Sequence, residues 1–221
     1  VFILLLILIF VALTSLISRY GKINIYFIPF ALLPIIIKTF YDARMAFFIH
    51  VITMLIIAFI VPNSYEFLFL QLVAGIISVF ALQHVNKRSQ IFWTSMIVFL
   101  SYCVVYFGFS ILHEGSSINI EWRDFIWFGG NAISLLTSYP LIYIFEKIFG
   151  FLSDLTLIEL SDTNNPLLRK LSDEAPGTFQ HSLQVSNLAT EAIYKIGGNP
   201  LLIRVGALYH DIGKMKMAPY F

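Results

Sequence analysis

Charge is what this 221-residue chain has least of. Only 12% of its residues are Asp, Glu, Lys or Arg, 13 acids against 14 bases, for a net charge of +1. A soluble domain carries roughly a quarter. The near balance lacks the basic footprint of a nucleic-acid polymer binder. Cysteine is scarcer still. A lone Cys103 excludes an internal disulfide and a CxxC metal site, and inside an apolar run it reads as a small buried or lipid-facing side chain. The start has neither an initiator Met nor a basic leader: Val1 already lies within an apolar run. A secretory signal peptide is therefore a poor reading, and a piece of a longer protein is the expected one. No apolar segment holds a pair of internal charges, which weakens a transporter reading.

What the chain has is grease, unevenly spread. Hydrophobic residues make up 58% and the mean hydropathy is +0.82. Up to about Gly150 the apolar runs are broken only by short polar punctuation; from Ser153 onward acids, bases, Asn and Pro return at ordinary frequency. The shift predicts a membrane part followed by a soluble part. Crossing the hydrocarbon core takes about 20 mostly apolar residues. By that length rule 1–149 is a transmembrane helical domain with six spans, about 1–18, 24–41, 43–61, 66–82, 91–112 and 125–149. The second and third should form a tight hairpin, and Pro29, Pro34 and Pro140 are candidate bends.

Lys38, Arg44, Lys87, Arg88 and Lys147 fall on one side of six spans, against Arg19 and Lys22 on the other. The positive-inside bias then puts the C-terminal part in the cytoplasm. Trp93, Trp122 and Trp127 lie near span ends, as interfacial aromatics do. Within the spans, His50, Gln71, Asn131, Ser134, Thr137 and Ser138 could line a ligand path; helix-to-helix hydrogen bonding is the favoured reading. His84 and His113 are expected in solvated loops.

Residues 150–165 read as a linker or coupling helix, ended by "SDTNNP". In the 166–221 segment, Thr178 is a plausible cap for a helix in which His181, Val185, Leu188 and Ala192 share one face, directing His181 inward. Gly197 and Gly198 stop that helix, and Asn199-Pro200 starts another running into "ALYHDIGKM". Adjacent helical residues point about 100° apart, so His210 and Asp211 make a poor clamp for one ion by themselves. They suit a cluster where helices converge and Asp211 bridges two ions. Imidazole with carboxylate favours Mn, Fe, Ni or Zn over Ca or Mg.

The stretch "LSDTNNPLLRKLSDEAPGTFQHSLQVSNLA" followed by "GGNPLLIRVGALYHDIGKM" resembles the seven-transmembrane-receptor HD-hydrolase family, bacterial membrane-bound cyclic di-AMP phosphodiesterases of the HD superfamily. The resemblance implies an all-α fold, with a polytopic membrane bundle preceding the N-terminal helices of a cytoplasmic HD domain in a bacterial cytoplasmic membrane. It makes His181, His210 and Asp211 metal ligands, with Asp211 bridging, and sets Lys214 near the substrate phosphate. Gln180 stands where the family pattern leads one to expect a further His. Two divalent transition metals, Mn or Fe, are implied, with a cyclic dinucleotide substrate, the lipid bilayer and a homodimer as partners. The remaining ligands would lie beyond Phe221, so this chain alone is expected to be inactive. Rival readings are an HD hydrolase for cyclic di-GMP or nucleotides, and a non-catalytic sensor whose HD domain binds nucleotide.

Overall fold

In the computed structural model, residues 1–21, 24–82, 89–114 and 122–220 are described. The Lys22, His84, Lys87 and Arg88 positions used above lie outside them. Among the described residues the structure is all-helical, and it divides into two compact units, Val1–Phe151 and Leu152–Phe221.

In the first unit α1 is Phe2–Tyr20, closed by Gly21 in the left-handed region at φ 62°. A single 3-10 turn, Ile25–Phe27, follows, with the Asn24 side chain accepting from the Tyr26 amide. Helix α2 (Leu32–Phe40) forms only after Pro29; Pro34 falls in its first turn, where an amide has no intrahelical partner to lose. Helix α3 (Ala43–Ala58) is capped by Asp42, whose carboxylate accepts from the Met45 amide at 2.6 Å. Then come α4 (Ser64–Ala81), α5 (Ser89–Glu114), α6 (Trp122–Leu135) and α7 (Ser138–Phe149). His113 therefore belongs to a helix and not to a loop.

Six comparable spans are not what the helices display. Among the described residues, Phe2–Tyr20, Ser64–Ala81 and Gln90–Ile111 are each long and apolar enough to cross a bilayer. The expected sixth span is two helices, α6 and α7, bent by 41°. Pro140 supplies the reason: it has no amide to bond the Leu136 carbonyl one turn earlier, and the chain passes the break through tighter bonds, Leu136 to Ile133 and Thr137 to Ser134. Ile25–Phe40 and Ala43–Ala58 are shorter apolar segments. Large apolar side chains such as Leu4, Leu8, Phe59, Val104 and Ile133 face outward, a surface that suits hydrocarbon rather than water.

The unit's interior is packed by aromatic edges and tied by buried polar groups. Phe2 meets Phe40, Phe145, Phe149 and Phe151 edge-on at 4.9–5.7 Å between centroids. His50 of α3 bonds through Nε2 to the Gln71 carbonyl of α4 at 2.9 Å. It fits because Gly75 faces it: a Cβ there would stand 2.0 Å from Nε2. Tyr102 of α5 donates to Gln71 Oε1 at 2.6 Å and stacks on Phe128 of α6. Asn131 of α6 donates to the carbonyls of Tyr26 and Ile28 at 3.0 and 2.7 Å. These three polar groups act as links between elements, as the favoured sequence reading has them. Ser134 and Thr137 instead bond carbonyls of their own chain segment, Gly130 and Ser134.

The second unit contains α8 (Asp154–Ser161), α9 (Pro166–Glu174), α10 (Pro176–Ile196), α11 (Pro200–Tyr209) and a 3-10 stretch, Ile212–Tyr220. Helix α8 occupies the segment expected as a linker or coupling helix; it is capped by Ser153 and packs on α11. Asn165-Pro166 and Asn199-Pro200 each start a helix in the same way, with the Asn carbonyl accepting amides two or three residues on. Gly197 and Gly198, at φ 84° and 144°, turn the chain between α10 and α11.

Two expectations for α10 fail. Thr178 is not its cap, because Pro176, with its preset φ, takes the first helical position after the non-helical Ala175. The inward face is not the His181 face either. Thr178, Ser182 and Ser186 are the buried row, while His181 and Leu188 are exposed. Short hydroxyl side chains let a neighbouring helix approach closely, and Ser186 satisfies itself on the Leu183 carbonyl at 2.8 Å. Helices α9 and α11 both pack on α10.

Candidate metal centre

His181 projects from the second turn of α10, and His210 from the residue that closes α11. Asp211 follows in the turn, and Lys214 sits in the 3-10 stretch. The hairpin turn at Gly197–Gly198 folds α11 back along α10 and brings His181 to the other three, which lie 29 residues or more further along the sequence. Arg204 of α11 reaches Asn187 of α10 at 3.4 Å and adds a polar tie.

One donor atom each from His181, His210 and Asp211 lies within 4.8 Å of the other two. The imidazole rings of His181 and His210 meet edge to face at 5.8 Å. His210 Nε2 is 3.3 Å from Asp211 Oδ2. The adjacent pair, which a regular helix would splay by about 100°, therefore converges. It does so because His210 closes the helix and Asp211 already lies in the turn beyond it. Lys214 Nζ donates to the same Asp211 Oδ2 at 2.6 Å.

His210 Nδ1 lies 2.8 Å from the Ala207 carbonyl. That carbonyl can only accept, so Nδ1 carries a hydrogen and Nε2, on the Asp211 side, is the nitrogen left to ligate a metal. An orienting carbonyl behind the far nitrogen is a usual arrangement for a ligating histidine. The hydrogen bond from Lys214 holds the Asp211 carboxyl below its ordinary range; burial opposes it, and the charges around the carboxylate add to the lowering. An anionic carboxylate and two imidazoles form a donor set for a divalent transition metal. Around a tetrahedral ion with bonds of about 2.0–2.2 Å, neighbouring donors stand roughly 3.3–3.6 Å apart; the His210–Asp211 separation fits that spacing.

The Ala207 carbonyl is the part of this arrangement that residue types could not disclose, since every residue has one. Helix periodicity, with His210 three positions beyond Ala207, is the signal that could have found it. Tyr209, between them, has a buried hydroxyl with no hydrogen-bond partner among the described residues, and burial pushes its phenol up from the ordinary value.

A bundle of long apolar helices in one unit and a His–His–Asp cluster between two helices of another define the class: an all-helical membrane protein with a candidate metal centre. Comparison with known proteins narrows it. Residues 1–153 match the model of the 7TM receptor with intracellular HD hydrolase, and residues 178–218 match the HD domain; the chain belongs to that receptor family. It is 35% identical to the cyclic-di-AMP phosphodiesterase PgpH of Bacillus subtilis over 212 residues, covering 92% of this chain and 30% of that protein. Against the cyclic-di-AMP phosphodiesterase PgpH of Listeria monocytogenes it is 33% identical over 204 residues, 90% of this chain and 28% of the relative. The chain thus spans under a third of the length of these relatives. No solved structure gives a significant match.

Proposed function

We propose that this chain is part of a membrane-bound, metal-dependent phosphodiesterase that hydrolyses cyclic di-AMP to the linear dinucleotide. The observation that carries the reading is the convergence of His181, His210 and Asp211 inside the segment that matches the HD domain. The PgpH relatives, matched across nine-tenths of this chain, supply the substrate class.

In this reading the two imidazoles and the Asp211 carboxylate hold divalent metal, Mn or Fe, with Asp211 shared between two ions. Bound metal lowers the pKa of coordinated water and neutralises phosphate oxygens. The protein's own contributions are positional. The Ala207 carbonyl fixes the His210 ring, so Nε2 need not reorient on binding. Asp211 stays anionic under the hydrogen bond from Lys214. Lys214 carries its ammonium beside the carboxylate, where it is placed to bear on a substrate phosphate as charge builds on its oxygens. Hydrolysis adds one water across one phosphodiester: the phosphorus gains an oxygen, and the ribose oxygen leaves with a proton. The further ligands of a two-metal centre belong, on this reading, to the part of the protein that the chain does not span.

The membrane unit is proposed to cross the bilayer six times, with Ile25–Phe40, Ala43–Ala58 and the bent α6–α7 pair as full crossings, and the second unit in the cytoplasm. The bases Lys38, Arg44 and Lys147 support that orientation. The test is the full-length protein supplied with Mn and cyclic di-AMP. Linear product that depends on metal and is lost in His210→Ala is expected. Undiminished product from that variant, or product in the presence of a strong chelator, would overturn the assignment.

A further inference from the structure

The two family matches cover residues 1–153 and 178–218, and α8 lies in the gap between them. It packs on α11, the helix that His210 closes. A lone helix shorter than about 12–15 residues is marginal in water, and α11 has 10. Its place is therefore set by what covers it. Leu201, Val205 and Leu208, at i, i+4 and i+7, lie on its less exposed side, and Leu208 is fully buried. The covering elements are α10 and α8. Leu157 is the one residue that α8 buries, at 2% exposure. His210 stands on the open side, its side chain 38% exposed. Two of its partners, the Ala207 carbonyl and Asp211, ride on the same stretch of chain. Where its ring stands relative to His181 on α10 thus depends on how α11 is seated.

We propose that Leu157 is a positioning residue of the candidate metal centre: through α8 it seats α11 against α10 and so sets the spacing of His210 from His181. The proposal rests on the metal reading of that cluster. Leu157 supplies no ligand atom; it acts by filling space. Truncating it leaves a void that the surroundings close only in part, and α11 gains room to shift under its terminal histidine. The segment between the two family matches is then a working part of the metal-site unit and not a spacer.

The test uses the full-length protein titrated with Co(II), whose visible absorption reports the geometry of its ligands. Leu157→Ala should weaken Co(II) binding by about tenfold or more, the scale of a lost support behind a ligand, and alter the absorption. Leu157→Met, which conserves volume, should restore both. Leu157→Val, a smaller truncation, takes the place of the alanine variant if that one does not fold. In metal-free protein, hydrogen exchange across residues 200–209 should quicken in the truncated variant. Unchanged exchange would overturn the seating of α11 by Leu157, whatever the cluster binds. Quickened exchange with Co(II) affinity and absorption unchanged, or an equal loss in Leu157→Met, would overturn its role at the metal centre. Co(II) bound equally well by His210→Ala would strike the metal reading itself, and the proposal with it.

Discussion

Lys214 Nζ and Asp211 Oδ2 stand 2.6 Å apart, and the same oxygen faces His210 Nε2 at 3.3 Å. One carboxylate oxygen thus has a permanent cation on one side and a ring nitrogen on the other. On the proposed reading His210 and Asp211 would hold metal through these same atoms, and Lys214 would be the group that bears on substrate. Lys214→Ala in the full-length protein should therefore retain metal binding, measured by metal content after desalting. Its turnover should fall by roughly 10–100-fold, less than the roughly 100–1,000-fold cost of a lost oxyanion-hole donor. Loss of metal together with activity would make Lys214 a structural partner of the carboxylate instead.

Gly75 and His50 test the membrane unit's interior. Gly75→Ala drives a Cβ into the imidazole, an overpacking that costs about 1–3 kcal/mol. Thermal unfolding in detergent should show a lower midpoint. The same substitution in a His50→Ala background should cost much less, because the two positions touch. Equal losses in both backgrounds would mean that the helices meet differently.

Asn199 accepts from the Leu201 and Leu202 amides at 3.0 and 3.1 Å. Asn199→Ala should destabilise α11 by about 1 kcal/mol, and Asn199→Gly by only a few tenths. Hydrogen exchange across residues 200–209 should report that order. Protection unchanged in the alanine variant would remove the cap from the account.

Much of this was legible in sequence, for identifiable reasons. Long apolar runs announce helices in lipid, and Pro140 announces a break one turn before itself. Asn199-Pro200 announces a helix start, whereas Asn165-Pro166 reads only as a stop although α9 begins there. The face of α10 was not legible. His181, Val185 and Leu188 form the more apolar stripe, yet the buried row is Thr178, Ser182 and Ser186, because the neighbours α9 and α11 decide which side is covered. Nor were the hydrogen bonds to Glu66 and Asp124. They join residues 18, 40 and 100 positions apart, and no local pattern encodes such pairings.

Orientation can be settled with single cysteines in a Cys103→Ala background. Asn63 and Asn164 are both exposed and lie in different units. A membrane-impermeant maleimide applied to intact cells should label Asn63→Cys and spare Asn164→Cys until the cells are lysed. Labelling of Asn164→Cys from outside would contradict the six-crossing topology with a cytoplasmic second unit.

The central claim is that Asp211 holds the catalytic metal of a cyclic di-AMP phosphodiesterase. Its most direct test is Asp211→Asn in the full-length protein, with Mn supplied and the linear dinucleotide measured by chromatography. The amide fills the same volume but cannot bridge two cations as a carboxylate does. Turnover should fall by roughly a hundredfold or more, with membrane insertion and bundle stability unchanged. Wild-type turnover by that variant would take Asp211 out of the metal site and the claim with it.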